Sequence, residues 1–301
     1  MRLTIGTRGS QLALWQANWV QDQLVRRGHA IEIRIIKTTG DKMQNIALTQ
    51  SGTKGLFIKE IEEALLAGSV DLAVHSMKDL PTEQPPGLIV AAVPEREDAR
   101  DAFLARDGRQ LSELPPQARV GTSSLRRQAQ LRRLRADLQL VSLRGNLDTR
   151  LRKLDRGDCD ALLLAAAGVH RLGLRNRITA YFAAEEMCPA VGQGALAIEI
   201  RADAALVAEA VECLDHAATH CAVRAERAML RHLGGGCQVP IAAHAVAEDS
   251  QLKLLGVVAN LDGSRLIRAR AAAPVNEPEQ LGATVADDLL RQGAREILES
   301  L

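Results

Sequence analysis

The chain has 301 residues, 47% of them hydrophobic and 25% charged, with 38 basic against 37 acidic side chains and only 2% aromatics. A net charge of +1 and so few aromatics argue against a nucleic-acid reader, which needs a cationic surface and stacking platforms. The length exceeds one simple core and suggests two or three domains, while five cysteines at 159, 188, 213, 221 and 237, odd in number and without a C-x-x-C pair, argue against a disulfide framework.

In chain order, residues 3–7 read as a strand, Ser10 as the cap of a helix with Leu12, Trp15 and Trp19 on one face, and residues 31–37 as a returning strand. A polar loop over 38–53 leads to a helix over 56–67 stopped by Gly68, then to a strand over 70–74 whose end carries His75-Ser76-Met77-Lys78-Asp79. Further along, 119–122 reads as a strand feeding a helix that starts near Ser124, followed by a strand over 138–143 and a helix over 147–156. Crossovers of this length favour parallel sheets, and two such sets imply two lobes with a cleft beyond the strands' C-terminal ends. The charged segment 94–101 and the flexible segment 189–194 are expected to be the crossings. The first lobe is then 1–95 with 195–216, the second 101–189, and residues 219–301 form a small α+β domain. That last part reads as a helix over 222–233, strands over 241–246, 252–259 and 265–272, and a final helix from 277. No apolar run reaches membrane-spanning length, and Met1 to Gly6 runs into a strand-like pattern rather than a secretory signal, so a cytoplasmic protein is expected.

Two features point to chemistry. Gly234-Gly235-Gly236-Cys237-Gln238-Val239-Pro240 puts a thiol on a glycine triplet; one glycine would cap the preceding helix, and three suggest a presented cysteine. The stretch 119–156 is rich in arginine. Arg132, Arg133, Arg135, Arg152 and Arg156 read as solvated helix faces, but Thr122-Ser123-Ser124-Leu125-Arg126-Arg127 puts hydroxyls, helix N-terminal amides and two guanidinium forks at a strand-to-helix turn. Arg144-Gly145-Asn146, with Arg150 one turn along, repeats the arrangement, and Arg8 with Ser10 and Lys78 with Ser76 sit at matching strand ends of the first lobe. Such a set suits a polyanionic ligand. Asp79, a carboxylate among cations, reads either as a cap or salt-bridge partner or as a stabiliser of positive charge in the same ligand.

These motifs, with Thr7 to Gln16, Lys54-Gly55-Leu56-Phe57, Pro189 to Gly194 and Glu226-Arg227, resemble the hydroxymethylbilane synthase (porphobilinogen deaminase) family over essentially the whole chain. The resemblance implies an α/β fold of two periplasmic-binding-protein-like lobes with mixed, mainly parallel sheets, plus the C-terminal α+β domain. It implies a cytoplasmic, monomeric transferase that joins four porphobilinogen molecules head to tail, with loss of ammonia, into 1-hydroxymethylbilane for the next enzyme of tetrapyrrole synthesis. By the same resemblance Cys237 carries a dipyrromethane primer through a thioether, and Asp79 stabilises the cation formed as ammonia leaves. Ser76, Lys78, Thr122, Ser124, Arg126, Arg127 and Arg150 would hold the primer's carboxylates. Arg8, Ser10, Lys54, Arg144, Arg171 and Gln193 would serve the incoming substrate, with Arg150 shared. One departure is visible: relatives often carry a lysine and a Gly-Gly pair before Lys-Gly-Leu-Phe, whereas here the run is Thr49-Gln50-Ser51-Gly52-Thr53-Lys54.

Other readings are weaker. His216, His220 and Cys221 sit at helical spacing near His232, but H-E-x-x-H is absent and no metal is expected. Phosphate-loop and dinucleotide fingerprints are missing as well. A non-catalytic two-lobed binding protein or regulator domain would explain a cleft but leaves Cys237 and Asp79 without purpose. A nucleic-acid reader rests on residues 126–135 alone.

Overall fold

The computed structural model describes residues 1–42, 58–235 and 239–300. Cys237, Lys54 and Gln50 lie outside the described residues, as does the start of the helix expected over 56–67. The chain forms β1 (Arg2–Thr7), α1 (Gln11–Val25), β2 (Ala30–Ile35), α2 (Thr39–Lys42), α3 (Lys59–Leu66), β3 (Leu72–Ser76) and β4 (Leu88–Ala92). Next come β5 (Asp101–Ala105), β6 (Arg119–Gly121), α4 (Leu125–Leu134), β7 (Gln139–Val141), α5 (Leu147–Asp155), β8 (Ala161–Ala165), α6 (Ala166–Arg171) and β9 (Ala180–Tyr181). The remainder is β10 (Leu196–Arg201), α7 (Ala205–Glu212), α8 (Ala217–His232), β11 (Ile241–Glu248), β12 (Gln251–Ala259), β13 (Leu266–Pro274), α9 (Pro278–Arg291) and α10 (Ala294–Glu299).

The chain divides into two compact units, Met1–Arg96 with Ala195–His220 and Glu97–Gly194 with Cys221–Leu301. The first holds a sheet of order β2-β1-β3-β10-β4. β1 runs parallel to β2 and β3, whereas β10 is antiparallel to both β3 and β4, so four strands point one way and β10 alone is reversed. Alternation along the strands sorts the core. Leu3, Ile5, Leu72, Val74, Ile198 and Ile200 pack with Ala17, Val20 and Leu24 of α1 and Val207 and Val211 of α7. On the other side Ala73 and Leu88 pack with Ile61 and Leu65 of α3. The buried stripe of α1 is therefore Gln16, Ala17, Val20 and Leu24, and the expected Leu12, Trp15 and Trp19 are only half-buried beside it.

The second unit has two sheets. One, of order β7-β6-β8-β5-β9, repeats the first unit's topology: β6 is parallel to β7 and β8, and β5 is the reversed strand between β8 and β9. In each unit the reversed strand is the one that begins just after a crossing segment, at residue 101 or 196. The other is the antiparallel sheet β11-β12-β13, covered by Ala225 and Met229 of α8 and Leu281, Val285 and Leu289 of α9. α8 ends in a Schellman cap: Gly234 has φ +65°, its amide bonds the Arg231 carbonyl, and the Gly235 amide bonds that of Leu230. Gly235 is small for a different reason, since a Cβ there would lie 2.5 Å from Ile241 Cδ1. Two of the three glycines are thus explained by capping and packing.

Several sequence expectations shift. The strand expected over 70–74 runs over Leu72–Ser76, so the His75–Asp79 motif begins inside the strand and only its last three residues form a turn. β5 starts at Asp101, within the segment expected to be a crossing. After Asp101 it is, like β8, a short apolar run buried in the middle of a sheet, a pattern without helix or strand period.

The α8–α9 contact admits no side chain at Gly282, where a Cβ would lie 2.5 Å from the Ala225 carbonyl oxygen and 2.8 Å from the Met229 nitrogen. Gly282→Ala is expected to destabilise the second unit by about 1–3 kcal/mol through forced separation of the helices, measured by denaturant unfolding.

Candidate functional site

In the first unit three chain segments meet at the C-terminal ends of β1 and β3. Thr7 closes β1 and its Oγ1 donates to the Ala13 carbonyl, while Ser10 Oγ caps α1 by accepting from the Ala13 amide at 3.3 Å. Gln16, buried on α1, donates from Nε2 to Ser76 Oγ at 2.8 Å, which fixes the end of β3 to the helix. The turn that follows is held by the Met77 amide donating to the Ala195 carbonyl at 3.0 Å and by the buried Met77 side chain. This leaves Lys78 half-buried and Asp79 exposed, and among the described residues the Asp79 carboxylate enters no hydrogen bond or ion pair. Arg8 is half-buried between β1 and the Ser10 cap. The result is a hydroxyl-bearing, cation-bearing rim with one carboxylate open to a ligand.

In the second unit the site is organised by a residue that sequence reading passed over. Asp101, the first residue of β5, is fully buried. Its Oδ2 accepts from Arg126 Nη1 at 2.6 Å, and its Oδ1 accepts from Arg127 Nη2 at 2.7 Å, Arg127 Nε at 2.9 Å and Gln193 Nε2 at 2.9 Å. Burial alone would raise this carboxyl; the two guanidiniums overcome that and hold it well below the usual carboxylate range. Arg127 is pulled the other way, its affinity for the proton lowered by burial and partly restored by Asp101. Arg126 also donates to the Cys188 carbonyl at 2.6 Å, yet its Nε is buried without an acceptor. Thr122 and Ser124 shape the turn into α4: Thr122 Oγ1 accepts the Ser124 amide, and Ser124 Oγ accepts the Arg127 amide as N-cap.

The remaining predicted residues fall near this network or on a neighbouring turn. Gln193 is fully buried and also donates to the Ala99 carbonyl at 2.7 Å. Arg171 is buried and donates to the Gly194 carbonyl at 2.7 Å, and burial, opposed by Glu97, lowers its guanidinium to about 10. Arg150 folds back from α5 to donate to the Gly145 carbonyl at 2.9 Å, while Arg144 next door is exposed. So Thr122, Ser124, Arg126, Arg127 and Gln193 form one cluster around Asp101, Arg171 adjoins it through Gly194, and Arg144 and Arg150 form a second group.

Glu226 on α8 is the other residue sequence reading left without a role: it is fully buried and accepts from the Gly192 amide at 2.6 Å and the Ala245 amide at 2.8 Å. The signal available for Asp101 was a lone carboxylate opening an apolar run, Asp101-Ala102-Phe103-Leu104, which cannot seat a charge without cations to face it. Of the histidines considered for a metal, His216 pairs with Thr219, His220 with Asp215 and His232 with Asp287, and among the described residues no group of three or more ligating side chains assembles.

The fold is α/β, with cations, hydroxyls and one open carboxylate at strand ends of the first unit and a hydroxyl- and guanidinium-bearing cluster at a strand end of the second, groups of the chemistry that pairs with anions. The chain matches the family model described as porphobilinogen deaminase, dipyromethane cofactor binding domain, over residues 3–209, and the porphobilinogen deaminase C-terminal domain over residues 220–291. It is 54% identical over 302 residues to a porphobilinogen deaminase of Pelobacter propionicus, spanning 100% of this chain and 97% of that one. It is 53% identical to one from Syntrophotalea carbinolica, spanning 99% of this chain and 96% of the relative. Among solved structures, a methionine-binding protein superposes with a TM-score of 0.45 at 14% identity, covering 71% of this chain and 89% of that chain. The chain belongs to the porphobilinogen deaminase family.

Asp101→Asn leaves two buried guanidiniums facing a neutral amide and is expected to destabilise the second unit by about 3–5 kcal/mol. The sign of the pH effect follows from the lowered carboxyl: its contribution is complete above the unfolded value of about 3.9 and is lost as the pH falls below it. Acid titration of unfolding should therefore show a stability loss in the parent protein that the Asn variant lacks.

Proposed function

We propose that this chain is a transferase that joins four porphobilinogen molecules head to tail, releasing ammonia at each addition, to give 1-hydroxymethylbilane in tetrapyrrole synthesis. The observation that carries this reading is the full-length family match joined to an unpaired carboxylate, Asp79, on a rim of cations and hydroxyls. Porphobilinogen carries an acetate, a propionate and an aminomethyl group, so its binding calls for fixed cations on one side and a carboxylate on the other.

The donor set fits a dipyrromethane. Its carboxylates match the hydroxyls of Thr122 and Ser124, the amides opening α4 and the guanidiniums of the second unit, and the buried Arg126 Nε still lacks an acceptor. Bound through Cys237, this group supplies the free pyrrole α-carbon from which the chain is extended. Ser76, Lys78 and Arg150 would complete its carboxylate contacts, and Arg8, Ser10, Lys54, Arg144, Arg171 and Gln193 would serve the incoming substrate. Asp101 tempers the second unit's cluster, leaving one net positive charge on the trio with Arg126 and Arg127, and holds both forks in place. Asp79 accepts pyrrole N–H groups and stabilises positive charge on the substrate ring as ammonia departs, because its carboxylate is spent on no other partner among the described residues.

We read the second unit as two folding domains, 101–189 and 219–301, in support of which its two sheets have separate cores. A cytoplasmic monomer that passes its product to the next enzyme of the pathway completes the reading. Among the described residues no helix is long and apolar enough to cross a membrane.

Intact mass of the denatured protein tests the primer. An excess equal to one dipyrromethane is expected in the parent protein and is expected to vanish in Cys237→Ser; a modified Ser variant would exclude Cys237 as the attachment point. For the catalytic carboxylate, Asp79→Asn should still bind porphobilinogen but turn over roughly 100- to 1,000-fold more slowly, the scale of losing one preorganised stabilising group. Near-parental turnover in a single-turnover assay would remove Asp79 from this role.

A further inference from the structure

Arg126 and Gln130 stand one turn apart on α4, so they share a face of the helix, and both meet the backbone of Cys188. The Gln130 carboxamide, 2% exposed, holds that residue from two sides: Oε1 accepts the Cys188 amide at 2.8 Å and Nε2 donates to the Cys188 carbonyl at 3.0 Å. Nε2 also reaches the Arg126 carbonyl at 3.5 Å, so the donor and acceptor ends of this buried amide are both occupied. The Cys188 oxygen takes Arg126 Nη1 as well, at 2.6 Å, the same nitrogen that donates to Asp101 Oδ2. Cys188 is in turn seated on the sheet β11-β12-β13. Its side chain packs with Ala242, Leu255 and Val257, and the neighbouring Pro189 carbonyl accepts the Ala243 amide at 3.1 Å. Burial pushes the Cys188 thiol well above its ordinary value, so it packs as a neutral group and does not serve as a nucleophile. The far half of α4 has its own hold on that sheet: Arg132 donates to the Leu261 carbonyl, and a Cβ on Gly263 would lie 2.7 Å from the Ala129 carbonyl oxygen.

We propose that Gln130 is a positioning residue: it fixes the Cys188 carbonyl against which Arg126 is seated, and so aims the Arg126 guanidinium. Both Arg126 contacts run through Nη1, whose two N–H bonds lie in the guanidinium plane. Two fixed acceptors therefore define that plane, and with it the direction of the Nε–H. One acceptor, Asp101, is held from its other oxygen by Arg127 and Gln193. The other, the Cys188 carbonyl, is held by Gln130. Without Gln130 one of the two points is loose, and the guanidinium can swing about the Asp101 bond. Arg126 Nε, buried with no acceptor among the described residues, is the donor whose aim then changes. Its meaning for catalysis rests on the reading that Arg126 holds a carboxylate of the primer. Because α4 is also docked through Arg132 and Gly263, the loss of Gln130 acts on Arg126 locally and leaves the helix in place.

The experiment uses full-length protein as purified, with primer content read by intact mass and rates expressed per primer-bearing molecule. Gln130→Met keeps the side chain's length and removes its hydrogen bonds, whereas Val257→Ala weakens packing around Cys188 and leaves those bonds in place. NMR spectra of the arginine guanidiniums, assigned through the side-chain carbons, report the seating directly, because the Nη1 hydrogens rotate and exchange slowly only while both are bound. In Gln130→Met the slow Arg126 signals should disappear while those of Arg127 persist. The same variant should lose roughly 10- to 100-fold in kcat, the scale of a misplaced group, with KM for porphobilinogen unchanged because Arg126 faces the primer and not the incoming substrate. Val257→Ala should melt at a lower temperature yet keep the Arg126 signals and the parental kcat, which separates aiming from bulk stability. Gln130→Asn, whose amide stops one methylene short, should repeat the Met result and gives the readout if the Met variant does not fold. A folded Gln130→Met or Gln130→Asn protein that retains the slow Arg126 signals would overturn the proposal, and so would their loss in Val257→Ala. The spectra do not depend on the primer reading, so signals lost with kcat intact would remove Arg126 from the primer's carboxylates and leave its seating by Gln130 standing.

Discussion

Asp101 sets the terms for the second unit. A carboxylate at the start of a central strand, shut off from water, is tolerated only because two guanidinium forks and a carboxamide converge on it. That requirement dictates where α4 begins, since Arg126 and Arg127 must leave its first turn together. It also dictates where the chain crosses, since Gln193 must reach Asp101 and the Ala99 carbonyl at once. The guanidiniums at this end of the sheet are therefore held in fixed positions by the fold itself.

The first unit solves a different problem with the same topology. Its strand ends carry hydroxyls and cations, but the Asp79 carboxylate is held on a short turn and, among the described residues, has no partner. Backbone bonds and the buried Met77 position Asp79, not an ion pair, so its charge stays available. A carboxylate locked like Asp101 cannot serve a substrate cation; one exposed like Asp79 could not have organised a buried cluster. Asp101 takes the organising role in the second unit, and Asp79 stays exposed in the first.

The C-terminal sheet and its helices carry a third constraint, close packing. Gly256 lies under Met229 and Val285, Gly282 against the backbone of α8, and Gly235 against Ile241. These contacts fix the end of α8, where the Schellman cap directs the chain toward the segment containing Cys237. Glu226, accepting two backbone amides, ties the same helix to Gly192 and to β11. The helix is thus braced through main-chain donors that a buried carboxylate satisfies.

Local rules sufficed for the amphipathic and capped elements. Ser10 and Ser124 announced their helices because a side-chain oxygen must meet the free amides of a first turn, and the strand-end motifs could be placed because hydroxyl and arginine groups cluster there. The family was legible from the same motifs. What local rules could not reach were residues whose meaning is a partner far along the chain: Asp101 with Arg126 and Arg127, Glu226 with Gly192 and Ala245, and His75 with Glu199. Each looks like an ordinary charge in its own neighbourhood, and the short apolar runs 102–105 of β5 and 161–165 of β8 carry no period to mark them. Sequence determined the elements, the chemistry on offer and the family, because those follow from neighbours a few residues apart. Only the tertiary structure decided which charges are buried against one another and which remain free, because that depends on distances across a sheet that no spacing along the chain records.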